Sequence, residues 1–218
     1  MNVQRAIAVT LCAVLVLAAS SEPRSAKSDL FDDIYERGQK QNAALKTLTA
    51  TFTESSTSSL LTTPIVARGT VAVERPSRVV LRYTEPAGRI LLIDADTLTL
   101  VWPSAHIRSV SDIGAAQRRV QKYFIDSSPA ELRTHFQIAA REAQDRPGAY
   151  LLTMTPKRKQ IQQGLTGLEL WIDRASLMLT AMKMTFPNGD TKLMTFADVK
   201  VNPPLERSVF TIDAASGR

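Results

Sequence analysis

The sequence predicts a mainly β (α+β) fold, a long antiparallel meander preceded by one helix and interrupted by a short helical insert. Three observations carry this. From Thr47 onward, apolar and polar residues alternate with a period of two in a series of short runs. Compact turn signals separate the runs: Arg75-Pro76-Ser77, Glu85-Pro86-Ala87-Gly88, Asp145-Arg146-Pro147-Gly148 and Asn188-Gly189. Helical periodicity is confined to a stretch beginning at Asp29 and to a segment between Asp112 and His135.

Each element has a local cause. Leu30, Phe31, Ile34, Leu45 and Leu48 recur at roughly helical spacing, with Asp32 and Asp33 early and Lys46 late, as the helix dipole prefers. This predicts an amphipathic helix of about four turns, capped by Ser28. Leu48, Ala50 and Phe52 then alternate with threonines, and a Ser/Thr-rich loop is expected from Ser55 to Pro64. Strands are expected around Ala67–Val73, Val79–Tyr83, Ile90–Ile93 and Leu98–Trp102. Ala115 to Phe124 has helical composition, and Ser128-Pro129-Ala130-Glu131 supplies a cap, a first-turn proline and a capping-box glutamate. Strands resume at Phe136 and run through Tyr150–Met154 and Leu168–Ile172. Asn188-Gly189 suits a type I′ turn, which would set Met184 opposite Leu193 and Met182 opposite Thr195. Phe210 and Ile212 are expected to form a closing strand.

The start of the chain reads as a secretory signal. Arg5 precedes an uncharged run from Ala6 to Ala19, then small residues and Glu22-Pro23. The run is short for a membrane span. The expected organisation is a signal peptide over residues 1–21, cleaved near Ser20 or Ser21, and a single domain over residues 22–218. Cys12 is the lone cysteine and sits inside the signal, so the mature chain would have neither a disulfide nor a lipidated cysteine.

The chemistry of known catalytic motifs is missing. His106 and His135 are isolated, which speaks against a metal centre, and no P-loop, G-x-G-x-x-G run or G-x-S-x-G elbow occurs. Asp94 and Asp96 share a strand face but fit a turn more simply. The formal net charge is +6, yet basic residues are scattered, with Lys157-Arg158-Lys159 the densest cluster. That is no nucleic-acid stripe; acidic partners or anionic lipid head groups suit it better. The expectation is a non-enzymatic protein without cofactor or metal.

Apolar inventory is the positive signal. A wide sheet with one greasy face needs a cover, and few helices are available. Either those helices complete an ordinary core, or the sheet closes as a barrel, or a half-open barrel keeps a lidded apolar cavity. The methionines Met154, Met178, Met182, Met184 and Met194 suit the third arrangement, because thioether side chains adapt to varied ligands.

Gly69-Thr70-Val71-Ala72-Val73-Glu74-Arg75-Pro76, then Tyr83-Thr84-Glu85-Pro86, then Asp94 to Pro103 resemble the front half of LolA-type periplasmic lipoprotein carriers. That family shows a Gly-x-φ-x-φ-x-Arg-Pro strand and a later Asp-Gly-x-x-Leu-Trp-x-Tyr-x-Pro strand. Leu152 to Lys157, Leu168 to Asp173, Gly189 to Lys192, Phe196 to Asn202 and Phe210 resemble its closing segments. Ala95 stands where the family has glycine, and Thr99 and Val101 where it has aromatics. The resemblance spans about Leu30 to Ile212. It implies an incomplete antiparallel β-barrel with an N-terminal helix and a helical lid over an apolar cavity. It also implies a periplasmic monomer that carries lipoprotein acyl chains from an inner-membrane ABC exporter to an outer-membrane acceptor. The alternative is a related carrier of another lipid or glycolipid. The expected cavity lining is Phe52, Val71, Val73, Leu81, Tyr83, Leu98, Leu100, Trp102, Met182 and Met184. By the same resemblance, Arg75 is expected to latch the lid segment Asp112 to His135.

Overall fold

The structure, a computed structural model, describes residues 29–120 and 127–212, with only the backbone of residues 119–120. The expected signal peptide, Ser28 and part of the expected lid lie outside the described residues.

Helix α1 (Leu30–Asn42) is capped by Asp29, whose carboxylate accepts the N–H groups of Phe31 (2.9 Å) and Asp32 (3.1 Å). The expected cap at Ser28 is thus displaced by one residue. A carboxylate satisfies two orphan amides and also faces the positive end of the dipole. Phe31, Ile34, Tyr35 and Gly38 form the buried stripe. The helix stops before Leu45, and Leu48 already lies on the first strand.

Eleven strands follow. They are β1 (Thr47–Thr57), β2 (Ile65–Glu74), β3 (Arg78–Glu85), β4 (Ala87–Asp94), β5 (Thr97–Trp102), β6 (Ile107–Asp112), β7 (Phe136–Glu142), β8 (Ala149–Pro156), β9 (Gly167–Asp173), β10 (Leu179–Thr185) and β11 (Thr191–Val201). Between β6 and β7 lie helices α2 (Gly114–Val120) and α3 (Pro129–His135). A one-turn helix, α4 (Lys159–Gln162), precedes β9. One antiparallel sheet holds them in the order β6-β5-β4-β3-β2-β1-β11-β10-β9-β8-β7. The end strands β6 and β7 do not pair with each other, so the barrel is incomplete and the helical insert links its two free edges. The capping box at Ser128 and Glu131 forms as the sequence predicts.

Ile90 to Ile93 are all buried, without alternation. Burial on both faces explains it. Leu91 and Ile93 belong to the helix-side core, whereas Ile90 and Leu92 meet Phe210, Leu205, Val209 and Ile212 on the opposite face. The expected closing strand is therefore a correction: residues Arg207–Phe210 form a 3₁₀ turn lying over the sheet. Pro203-Pro204 lack two successive N–H donors, so the ladder ends and the chain turns away. Arg82 fixes this segment by donating to the carbonyls of Val209 (3.0 Å) and Thr211 (2.6 Å).

The last hairpin also departs from expectation. Met184 pairs with Lys192 and Met182 with Met194. Pro187 has no N–H for the ladder, so pairing stops at Phe186, which bonds Asp190. A three-residue loop results, with Gly189 in the left-handed region at φ +82°. Ala95 also sits there, at φ +48°, which accounts for the glycine in the resembling motif.

Candidate functional site

One face of the sheet is apolar across β1–β5 and β7–β11. Residues directly opposite in an antiparallel ladder share a face, and the register therefore assigns the expected lining. Val71, Leu81, Leu91 and Leu100 lie in one row, and Val73, Val79, Ile93 and Leu98 in the next. Phe52, Val71, Val73, Leu81, Tyr83 and Leu98 form one buried cluster with Met194. Met182 and Met184 belong to the neighbouring cluster, which contains Leu152, Met154, Leu168 and Leu170. Leu100 and Trp102 are half-buried on the same strand parity. All ten residues thus share one face, the one that receives the helices: Phe31, Ile34 and Tyr35 of α1 and Leu132 of α3 pack into the second cluster.

A local feature keeps that face smooth. A Cβ at position 69 would lie 2.2 Å from the Arg82 carbonyl oxygen and 2.8 Å from the Phe52 ring. Glycine leaves room for Phe52 to meet Tyr83 edge-on, centroids 5.0 Å apart.

Helix α3 is tied to α1 by polar contacts at its margins. Tyr35 donates its hydroxyl proton to the Ser127 carbonyl (2.7 Å) and accepts from Gln39 (2.7 Å). Burial pushes the Tyr35 phenol up to about 12, against the lowering effect of the Gln39 hydrogen bond. Arg133 pairs with Asp32 (2.6 Å) and with Asp29, and its guanidinium stands 4.9 Å from the Phe31 ring centroid. Burial raises the Asp29 carboxyl, but the Arg133 bond and two backbone N–H groups outweigh it and hold the group below its ordinary value. Lys157 donates to the Arg133 carbonyl (2.8 Å), satisfying the last turn of α3.

Arg75 follows the end of β2. Its Nη1 donates to the Leu45 carbonyl (3.3 Å), in the connection between α1 and β1, and burial lowers its pKa. Among the described residues its bond goes to that connection; residues 121–126 of the expected latch partner lie outside them.

Sequence reasoning missed a charged cluster on the apolar face. Glu54, only 5% exposed in its side chain, accepts from the Tyr83 hydroxyl (2.8 Å) and Lys192 Nζ (2.9 Å), with Arg89 Nη2 at 3.6 Å. Arg89 stacks on the Tyr83 ring, 3.4 Å from its centroid, with the Trp102 ring at 5.2 Å. Burial and the Glu54 charge push the Tyr83 phenol far up.

An unclosed antiparallel sheet with a helix-covered apolar face, its buried charges gathered near one end of the strands, defines the class of open-sheet, helix-lidded folds. Two solved structures share this fold: an uncharacterized conserved protein from Thermus thermophilus (TM-score 0.54, 11% identity, 84% of this chain and 94% of that one) and MucB (TM-score 0.53, 13% identity, 86% and 64%). The family model of the outer membrane lipoprotein carrier protein LolA matches residues 43–213. The chain belongs to that family. It is 27% identical over 224 residues to the outer-membrane lipoprotein carrier protein of Cupriavidus taiwanensis, covering 97% of this chain and 95% of that protein. The corresponding protein of Cupriavidus necator is 28% identical over 156 residues, covering 68% and 67%.

Proposed function

We propose that this protein is a periplasmic carrier that takes up lipoprotein acyl chains on its apolar face and hands them to an outer-membrane acceptor, without catalysis. The observation that carries this reading is the continuity of the face. It runs across both sheet halves, with its charged groups gathered at one end around Glu54, and its cover is tied down by a few polar contacts. Separation of α3 from α1 would bare Leu132, Tyr35 and the strand residues beneath them. An acyl chain would take their place against the sheet.

Family membership supports the carrier role and the periplasmic setting. Shuttling from an inner-membrane ABC exporter, and the monomeric state, follow from the same reading. Arg75 is the second tie: it holds the exit of α1, and α1 in turn holds the lid helix.

Uptake of a fluorescent acyl probe by the exported protein tests the reading. Arg133→Ala removes both pairs to α1 and leaves the apolar lining unchanged. Uptake is expected to quicken several-fold, with a fall of about 2–8 °C in unfolding temperature from the two lost pairs. Failure of the unmodified protein to bind any acyl probe would sink the carrier reading.

A further inference from the structure

The charged cluster of Glu54, Arg89 and Lys192 lies on the apolar face beside Tyr83 and Trp102. Three N–H donors there, Arg89 Nε, Arg89 Nη2 and Trp102 Nε1, are buried without a hydrogen-bond partner among the described residues. Such groups are costly to leave unsatisfied. Glu54 takes Tyr83 and Lys192 in hydrogen bonds but reaches Arg89 Nη2 only as a longer ion pair at 3.6 Å. Stacking on Tyr83 holds the guanidinium by its face. These groups are all donors, so a ligand that met them would be an acceptor. Arg89 and Lys192 against Glu54 leave one net positive charge, which favours an anion over a neutral carbonyl.

Position specifies the ligand further. Arg89 is the third residue of β4, and Lys192 the second of β11, so the cluster sits at the strand ends. Leu81, Leu91 and Ile93 continue the same face inward from it. Arg89 and Lys192 each keep 17% of their side-chain surface exposed. An amphiphile with its chain along the face would place its head here. Arg75 lies past the far end of β2, so the α1 tie and this cluster occupy opposite ends of the sheet.

We infer that Arg89, Trp102 and Lys192 form a head-group site for an anionic oxygen group, a carboxylate or phosphate, covalently joined to the chain bound on the apolar face. The inference rests on the carrier reading and adds polarity to it, because a chain then has one orientation.

Titrations of the exported protein with oleate, methyl oleate and inorganic phosphate, read by tryptophan fluorescence and calorimetry, test it. Oleate should bind roughly tenfold or more tighter than methyl oleate, as a charge-assisted contact implies. Arg89→Leu should abolish that difference, bringing oleate to the affinity of methyl oleate, while Arg89→Lys should keep part of it. Trp102→Phe, which retains an aromatic ring but loses the N–H donor and part of the indole's area, should weaken oleate more than methyl oleate by calorimetry and guards against a folding defect in Arg89→Leu. Equal affinity for the two lipids overturns the head-group site and leaves the carrier reading intact. Phosphate binding as tightly as oleate overturns it in favour of a free-anion site. Binding of neither lipid overturns both readings.

Discussion

Glu54→Gln is the perturbation on which the structure makes its sharpest demand. The carboxylate is 5% exposed and, among the described residues, is the only acidic group paired with Lys192 and Arg89, each 17% exposed. A glutamine keeps the shape and still accepts the Tyr83 proton, so packing changes little. What is lost is the negative charge, which leaves two cations facing each other beside an apolar surface. Breaking a buried pair by removing one partner costs about 3–5 kcal/mol. Because both cations retain some contact with water, the low end, about 3 kcal/mol, is appropriate. For a domain of this size each kcal/mol moves the midpoint by about 2–4 °C, so a fall of about 6–12 °C is expected. Differential scanning calorimetry measures it, and adding Lys192→Met should recover part of the loss, by about 1–2 kcal/mol of coupling. A midpoint within about 2 °C of the unmodified protein would refute the reasoning, since it would mean that water already neutralises the cluster.

The remaining predictions concern the backbone and the ties. Ala95 holds φ +48°, so Ala95→Gly should stabilise the fold by about 1 kcal/mol, seen as a higher urea midpoint at unchanged slope. Tyr35 has its folded pKa raised from 10.0 to about 12, so the folded state holds the proton more tightly. Its contribution is full below pH 10 and is lost as pH rises toward about 12. Melting curves should show that loss in the unmodified protein and a smaller one in Tyr35→Phe. Arg75→Leu frees the Leu45 carbonyl and should slow hand-over of bound cargo to an acceptor more than uptake, as measured in a transfer assay; wild-type release would remove Arg75 from the mechanism.

Elements set by neighbouring residues were legible in the sequence. The capping box at Ser128 and Glu131 and the alternation at Val71 and Val73 needed only a few adjacent positions. Features set by distant packing were not. The type I′ expectation at Asn188-Gly189 overlooked Pro187, whose missing N–H changes the register. The covering role of Phe210 depends on the far face of β2–β5, which no local pattern encodes. The Glu54 cluster joins β1, β3, β4, β5 and β11, with Glu54 and Lys192 138 positions apart. A signal was nevertheless present. Glu54 shares parity with Ala50 and Phe52, and Arg89 with Leu91 and Ile93, so each is a charge on an otherwise buried apolar row. Opposite charges at such positions must find each other or a ligand, and together they point to the cluster.

The same physics bears on how the cover opens. Lid residues such as Leu132 are chemically equivalent to an acyl chain as neighbours for Met182 or Leu168. Exchanging one for the other therefore keeps most of the apolar burial on the sheet. The net cost of opening is then carried by the polar ties. The Tyr35–Ser127 bond is buried and is worth about 1 kcal/mol. Arg133, one-third exposed, contributes about 0.5–1 kcal/mol with each aspartate. Together these come to about 2–3 kcal/mol, which three or four methylenes offset at about 0.8 kcal/mol each. On the proposed reading, a cover held this lightly would yield to a single chain. A cover held by interdigitated apolar side chains alone would gain nothing from polar ties and would lack that threshold. On the proposed reading, reversibility would come from Arg133 of α3 and Tyr35 of α1, which tie the two helices at their margins while Leu132 is the one residue of α3 buried beneath it.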